Sequence, residues 1–158
     1  MQYCDRSSGG GSACVSKATE LLREISVERQ VTAGSNLFLD GDAPLGVFFV
    51  ISGRIDMSVA NRVGRTRQVC MGCAGDVLGL SSSITGKPLD CRADVVEDST
   101  VQFVPRDALL EFIRTSPEAH LEIVKILSLD IGRCYEVLKS IDAENRGHSL
   151  RVVPALGA

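Results

Sequence analysis

The chain has 158 residues, 44% of them hydrophobic and 23% charged, with a net charge of −3. Such a chain can bury a core of its own without disulfides or metals, and its acid excess argues against non-specific nucleic-acid binding, though not against a local basic patch. No apolar run approaches the ~18 residues of a membrane span, and the start, Met1-Gln2-Tyr3-Cys4-Asp5-Arg6, lacks the apolar stretch of a secretory signal, so the expected location is the cytoplasm.

In chain order, Ser7-Ser8-Gly9-Gly10-Gly11-Ser12 has linker composition, so residues 1–15 are expected to form a flexible segment. Ser16 can cap a short helix from Lys17 to Ile25, with Ala18, Leu21, Leu22 and Ile25 at helical spacing. The period then changes. Leu37-Phe38-Leu39 reads as a strand ended by Asp40-Gly41-Asp42, and Val47 to Ile51 as a continuous β-prone run ended by Ser52-Gly53-Arg54. Ile55, Met57 and Val59 alternate with Asp56, Ser58 and Ala60, the pattern of a half-buried strand. Asn61-Arg62-Val63-Gly64 turns it into a hairpin whose return strand is Thr66 to Met71. Ala93 to Val96 and Thr100 to Val104, joined through Glu97-Asp98-Ser99, are the last two expected strands. So many short strands between frequent turns predict a sandwich or barrel.

After Pro105 the period is helical. Asp107 to Arg114 carries Leu109, Leu110, Phe112 and Ile113, and Thr115-Ser116-Pro117-Glu118 restarts a helix with a cap, a first-position proline and an acid in the first turn. This second helix is expected to run to Asp142. Within it Val124, Leu127, Ile131, Cys134, Leu138 and Ile141 step by 3, 4, 3, 4 and 3, an unbroken apolar seam. The seam either packs on the chain's own strands or meets a second helix, with Leu121, Ile123, Ile126 and Leu129 available for docking on the strands. Residues 143–158 lose the pattern and are expected to be an irregular tail.

The order of glycine turns, Ala33-Gly34, Asp40-Gly41-Asp42, Ser52-Gly53-Arg54 and Gly75-Asp76-Val77-Leu78-Gly79, followed by a long helix, resembles the cyclic-nucleotide-binding β-roll of the Crp/Fnr regulators. The resemblance runs from about Arg29 to Ile141. It implies a double-stranded β-helix (a jelly-roll, cupin-like β-roll) over residues 16–115 and a long dimerisation helix over 116–142. Gly75 to Gly79 matches the opening of the family's phosphate cassette. The glutamate that would hold the ribose falls on Leu80, and the arginine and hydroxyl that would hold the phosphate fall on Leu89 and Asp90. Shifting the alignment would recruit Arg92 at the cost of shortening a strand. The degenerate pocket is thus Gly75, Asp76, Gly79, Leu80, Ser81, Ser82, Leu89 and Asp90. Ser81, Ser82 and Ser83 could donate to a small anion, or serve helix capping and turn formation.

Cys70-Met71-Gly72-Cys73 is a CxxC without a second ligand pair for zinc, and His120 and His148 stand alone, so no metal, cofactor or catalytic site is expected. The six cysteines are expected to be reduced and mostly buried, with a Cys70/Cys73 redox pair as the alternative. The expected function is a cytoplasmic Crp/Fnr-like sensor, homodimeric through its long helix and not an enzyme. It would bind neither cyclic nucleotides nor, by itself, DNA, lacking the winged helix-turn-helix, and would act through an unknown small ligand or protein partner. The alternatives are a cyclic-nucleotide module with an atypical pocket and a cysteine-based redox or metal sensor.

Overall fold

The structure, a computed structural model, describes residues 22–60 and 63–149. Six strands, β1 (Val27–Val31), β2 (Asn36–Phe38), β3 (Gly46–Ala60), β4 (Thr66–Gly72), β5 (Val77–Leu78) and β6 (Arg92–Pro105), pair antiparallel throughout. The main path is β1-β6-β3-β4, with β2 added to β6 and β5 to β3. A short helix, α1 (Leu80–Thr85), lies between β5 and β6, and α2 (Arg106–Thr115) and α3 (Pro117–Ser149) follow β6. The expected mainly-β jelly-roll followed by a long helix is therefore present.

Two expectations change in detail. The strands predicted at Val47–Ile51 and Ile55–Val59 are one bent strand, β3, and those at Ala93–Val96 and Thr100–Val104 are one bent strand, β6. Ser52-Gly53-Arg54 and Glu97-Asp98-Ser99 face each other where the β3–β6 register slips repeatedly between Val50 and Ile55. They bend a continuous ladder instead of ending it, as bulges do. Gly53 makes the bend possible. Its φ is 90°, and a Cβ there would lie 2.0 Å from Ser99 Oγ. Only glycine fits both the conformation and the space.

The second change is at the far end. α3 runs 33 residues to Ser149, past the boundary expected at Asp142. Ala143, Glu144 and Arg146 are good helix formers, and Gly147 alone costs only about 1 kcal/mol, too little to stop a helix already propagating. Of the predicted N-terminal helix, Leu22–Glu24 is helical; its earlier part, the 1–15 segment, the Asn61-Arg62 turn and residues 150–158 lie outside the described residues.

The long β3–β6 pair is covered on both faces, which explains why residues 47–51 show no polar alternation. Phe48, Val50, Val101 and Phe103 face the roll interior with Phe38, Ile55 and Leu89. Val47 and Val104 face the other way, under Leu22, Leu80 and Leu109. Ile123, Ile126 and Leu127 of α3 pack against this second cluster and fix the long helix to the roll.

Candidate functional site

The turn before α1 is built on two left-handed glycines, Gly75 at φ 93° and Gly79 at φ 80°. Gly75 N–H donates to Val50 O (2.9 Å), and Val50 N–H donates to Asp76 O (3.0 Å), so the turn is fastened to β3. The Asp76 carboxylate then works in two directions. One oxygen accepts the Cys73 amide at 2.9 Å, closing the turn. The other accepts Arg133 Nη2 at 2.7 Å, tying the turn to the middle of α3. Burial opposes the Arg133 charge, but the Asp76 hydrogen bond and the nearby carboxylates of Asp76 and Asp130 raise its pKa above the ordinary arginine value. Burial also raises the Asp130 pKa, against the pull of Arg133.

Beyond Gly79 the positions expected to hold a ribose and a phosphate are taken by packing residues. Leu80 is 4% exposed and belongs to the cluster under the helices; Leu89 is 6% exposed and belongs to the roll interior. Asp90 is exposed. Arg92 is held on the surface by Asp94 at 2.6 Å. The serines divide: Ser83 is fully buried and donates to Gly46 O at 2.9 Å, Ser82 is buried with a long 3.5 Å contact to Pro88 O, and Ser81 is exposed. Ser83 therefore fastens α1 to the start of β3. The expected site residues do lie together along one turn and its following helix and strand, but Leu80 and Leu89 are packing residues in two different cores.

The cysteines do not form the Cys70/Cys73 pair. Cys70 is a free thiol whose Sγ points across the strands to Met57 Sδ at 3.7 Å. Cys73, beyond the end of β4, is disulfide-bonded, whereas Cys91 and Cys134 are free thiols like Cys70. The expectation of six reduced thiols is corrected at that position. Burial pushes the Cys70 thiol up to about 11 and the Cys91 thiol up to about 12, so both are inert at neutral pH. Cys4 and Cys14 lie outside the described residues. Among the described residues no group of three His, Cys, Asp or Glu side chains is placed to hold a metal.

Along α3 the expected seam separates. Val124, Ile131 and Leu138 are 58%, 56% and 59% exposed, and Cys134 is exposed too. Leu127, however, packs on the roll, and Ile141 is half-buried. Leu121 and Tyr135 stand 60% and 61% exposed. The open stripe is therefore Leu121, Val124, Ser128, Ile131, Tyr135 and Leu138, which also alternates steps of three and four. Sequence reasoning missed Tyr135 and Ser128 because a phenol and a hydroxyl interrupt an apolar count. Of the four residues expected to dock on the roll, Ile123 and Ile126 do so, while Leu121 and Leu129 are exposed.

Residues 28–116 match the family model described as the cyclic nucleotide-binding domain. The chain belongs to this family. No curated protein matches the chain by sequence. Among solved structures, the Thermus thermophilus catabolite activator protein superposes with a TM-score of 0.65 at 21% identity, over 87% of this chain and 62% of that one. The c-di-GMP-responsive global regulator CLP of Xanthomonas campestris gives 0.72 at 16% identity, over 79% and 62%. The sensor domain of the transcriptional regulator DNR of Pseudomonas aeruginosa gives 0.62 at 14% identity, over 75% and 80%. The chain thus spans 62% of the length of each of the first two. These likenesses establish the Crp-like cyclic nucleotide-binding fold, and with it the resemblance drawn from the glycine turns. No helix among the described residues is long and apolar enough to cross a membrane.

Proposed function

We propose that this cyclic nucleotide-binding domain is the non-enzymatic, cytoplasmic sensor part of a Crp/Fnr-like regulator whose phosphate cassette no longer holds a cyclic nucleotide. The observation that carries this reading is the burial of Leu80 and Leu89 where the resemblance puts the ribose and phosphate partners. A ribose hydroxyl and a phosphate would meet hydrocarbon there, with Asp90 adding like-charge repulsion. Each lost charge-assisted hydrogen bond is worth ~1.5–3 kcal/mol. Calorimetry with cyclic AMP, cyclic GMP and c-di-GMP should show no binding below millimolar concentration. Micromolar binding of any of them would overturn the reading in favour of an atypical nucleotide pocket.

The open stripe on α3 supports the second part of the proposal, a homodimer. A second copy related by a two-fold axis would cover Val124, Ile131, Tyr135 and Leu138 with their own counterparts. The Asp76–Arg133 bond then supplies a route for a signal. A shift of the cassette turn pulls on α3 close to Ile131, and so on the helix pair. With a net charge of −3 the chain has no overall basic footprint, and we assign it no DNA contact of its own. The output is a change in the α3 pair, read by a protein partner.

A further inference from the structure

Away from the cassette, the roll carries a groove of about 470 Å³ between β1 and the segment that joins β2 to β3. That volume is in the range of small-molecule sites. Its walls are mostly hydrocarbon, Leu37, Phe38, Leu45, Phe48, Leu89 and Phe103. Leu89 is the only residue it shares with the cassette. Phe38, Phe48 and Phe103 form a row of mutually tilted rings, with centroids 6.0 Å and 4.9 Å apart. The groove is preformed. Its outer segment is held by a backbone bond from Gly41 N–H to Leu89 O (2.7 Å) and another from Leu89 N–H to Asp42 O (2.9 Å).

Two charged side chains reach the groove, and they differ. Asp42 has an engaged carboxylate: Oδ2 accepts the Leu39 amide at 2.8 Å. Arg29 lies over the Phe103 ring, its Cζ 4.3 Å from the centroid, and forms no ion pair with any described residue. Stacking on an aromatic face orients the planar guanidinium and leaves its N–H edge available to a carboxylate. Leu45 stands at the lip with 74% of its surface exposed. A cationic edge above an apolar, ring-lined groove is complementary to one kind of molecule: an apolar body carrying a single carboxylate.

We infer that this groove binds a small amphiphilic carboxylate, with Arg29 taking the carboxylate and Phe48, Phe103 and Leu45 enclosing the hydrocarbon. The inference does not depend on the cassette being silent, since the two sites share only Leu89. A ligand seated there presses on Leu89, which its two backbone bonds tie to Gly41 and Asp42 and which lies three residues before β6 begins at Arg92.

The test is an amide-resolved NMR titration of the full chain with octanoate, and with octan-1-ol as its neutral twin. Octanoate should give saturable shifts at Leu37, Leu45 and Gly46, and should bind about tenfold or more tighter than octan-1-ol, the worth of one charge-assisted hydrogen bond. Arg29→Gln, on an exposed strand position, should keep the spectrum of the folded protein and abolish the preference for octanoate. Asp42→Asn keeps an acceptor for the Leu39 amide and removes a like charge, so octanoate should bind that variant at least as well as wild type. Equal binding of the two ligands to wild type would overturn the inference. So would a preference that survives Arg29→Gln, shifts confined to the α3 stripe, or no saturable shift at all.

Discussion

In the roll, Ile55, Ala93 and Val101 have no exposed surface, and both faces of the β3–β6 pair are covered by the chain's own residues. Along α3, Leu121, Val124, Ile131, Tyr135 and Leu138 each stand more than half exposed, although one edge of the same helix is packed down by Ile123, Ile126 and Leu127. The two regions solve the same problem differently. The strands bury apolar area by bending back on themselves. The helix has one apolar face too many for a single roll, and exposed apolar area costs about 25 cal/mol per Å² relative to burial. The difference teaches that the strands close on a core of their own, while α3 keeps an exposed apolar stripe that the proposed dimer would cover.

The first way to break this comparison is to unfold the closed side of it. Gly53→Ala forces a side chain into a φ of 90° and onto Ser99. Backbone strain and overpacking together should lower stability by on the order of 3 kcal/mol. Denaturant unfolding reads this directly, and a midpoint equal to wild type would mean the bend is loose instead of packed. A smaller effect is expected where the two regions meet. Arg133→Gln leaves Asp76, whose side chain is 14% exposed, without its cationic partner. Stability should fall by ~1–2 kcal/mol, with faster amide exchange at Cys73 and Gly75. If exchange there is unchanged, the turn is not coupled to α3 and the proposed signal route fails.

The smallest effect sharpens the contrast between buried and open side chains. Burial pushes the Cys70 thiol up to about 11 and the Cys91 thiol up to about 12, from an ordinary value of 9.0. Because the folded pKa values are raised, the stability these thiols contribute is intact below pH 9 and is lost as pH rises through the folded values. Cys91→Ala should therefore flatten the decline in stability above pH 9, measured by denaturation across a pH series. A decline as steep as in wild type would assign it to other groups. Cys134, exposed on α3, should meanwhile react with iodoacetamide at neutral pH long before Cys70 or Cys91.

Much of the fold was legible in the sequence because its signals were local. Gly41, Gly75 and Gly79 marked real turns, and Ser116-Pro117 marked the start of α3. What was missed depends on tertiary placement. Gly53 and Ser99 read as strand ends because a bulge and a turn use the same residues, and only the partner strand distinguishes them. Leu127 fitted the heptad count but was claimed by the roll, since the heptad pattern does not say which face the first two turns dock. At the cassette, the absence of polar partners at Leu80 and Leu89 could be read from resemblance, but their membership of two separate cores could not. The Asp76–Arg133 bond joins residues 57 positions apart, and no local pattern announces it. Nor did Arg29 stand out, because its meaning comes from the Phe103 ring beneath it.

The claim that α3 is completed by a second copy of the chain is tested most directly by sedimentation velocity on wild type and on the Ile131→Asp, Leu138→Asp double variant. Both substituted residues belong to the open stripe and neither packs on the roll. Charge at the centre of a two-fold apolar contact would face its own copy and repel it. The expected result is a dimer for wild type at micromolar concentration and a monomer for the variant, with an unchanged circular dichroism spectrum. A monomeric wild type, or a variant that remains dimeric, would contradict the account.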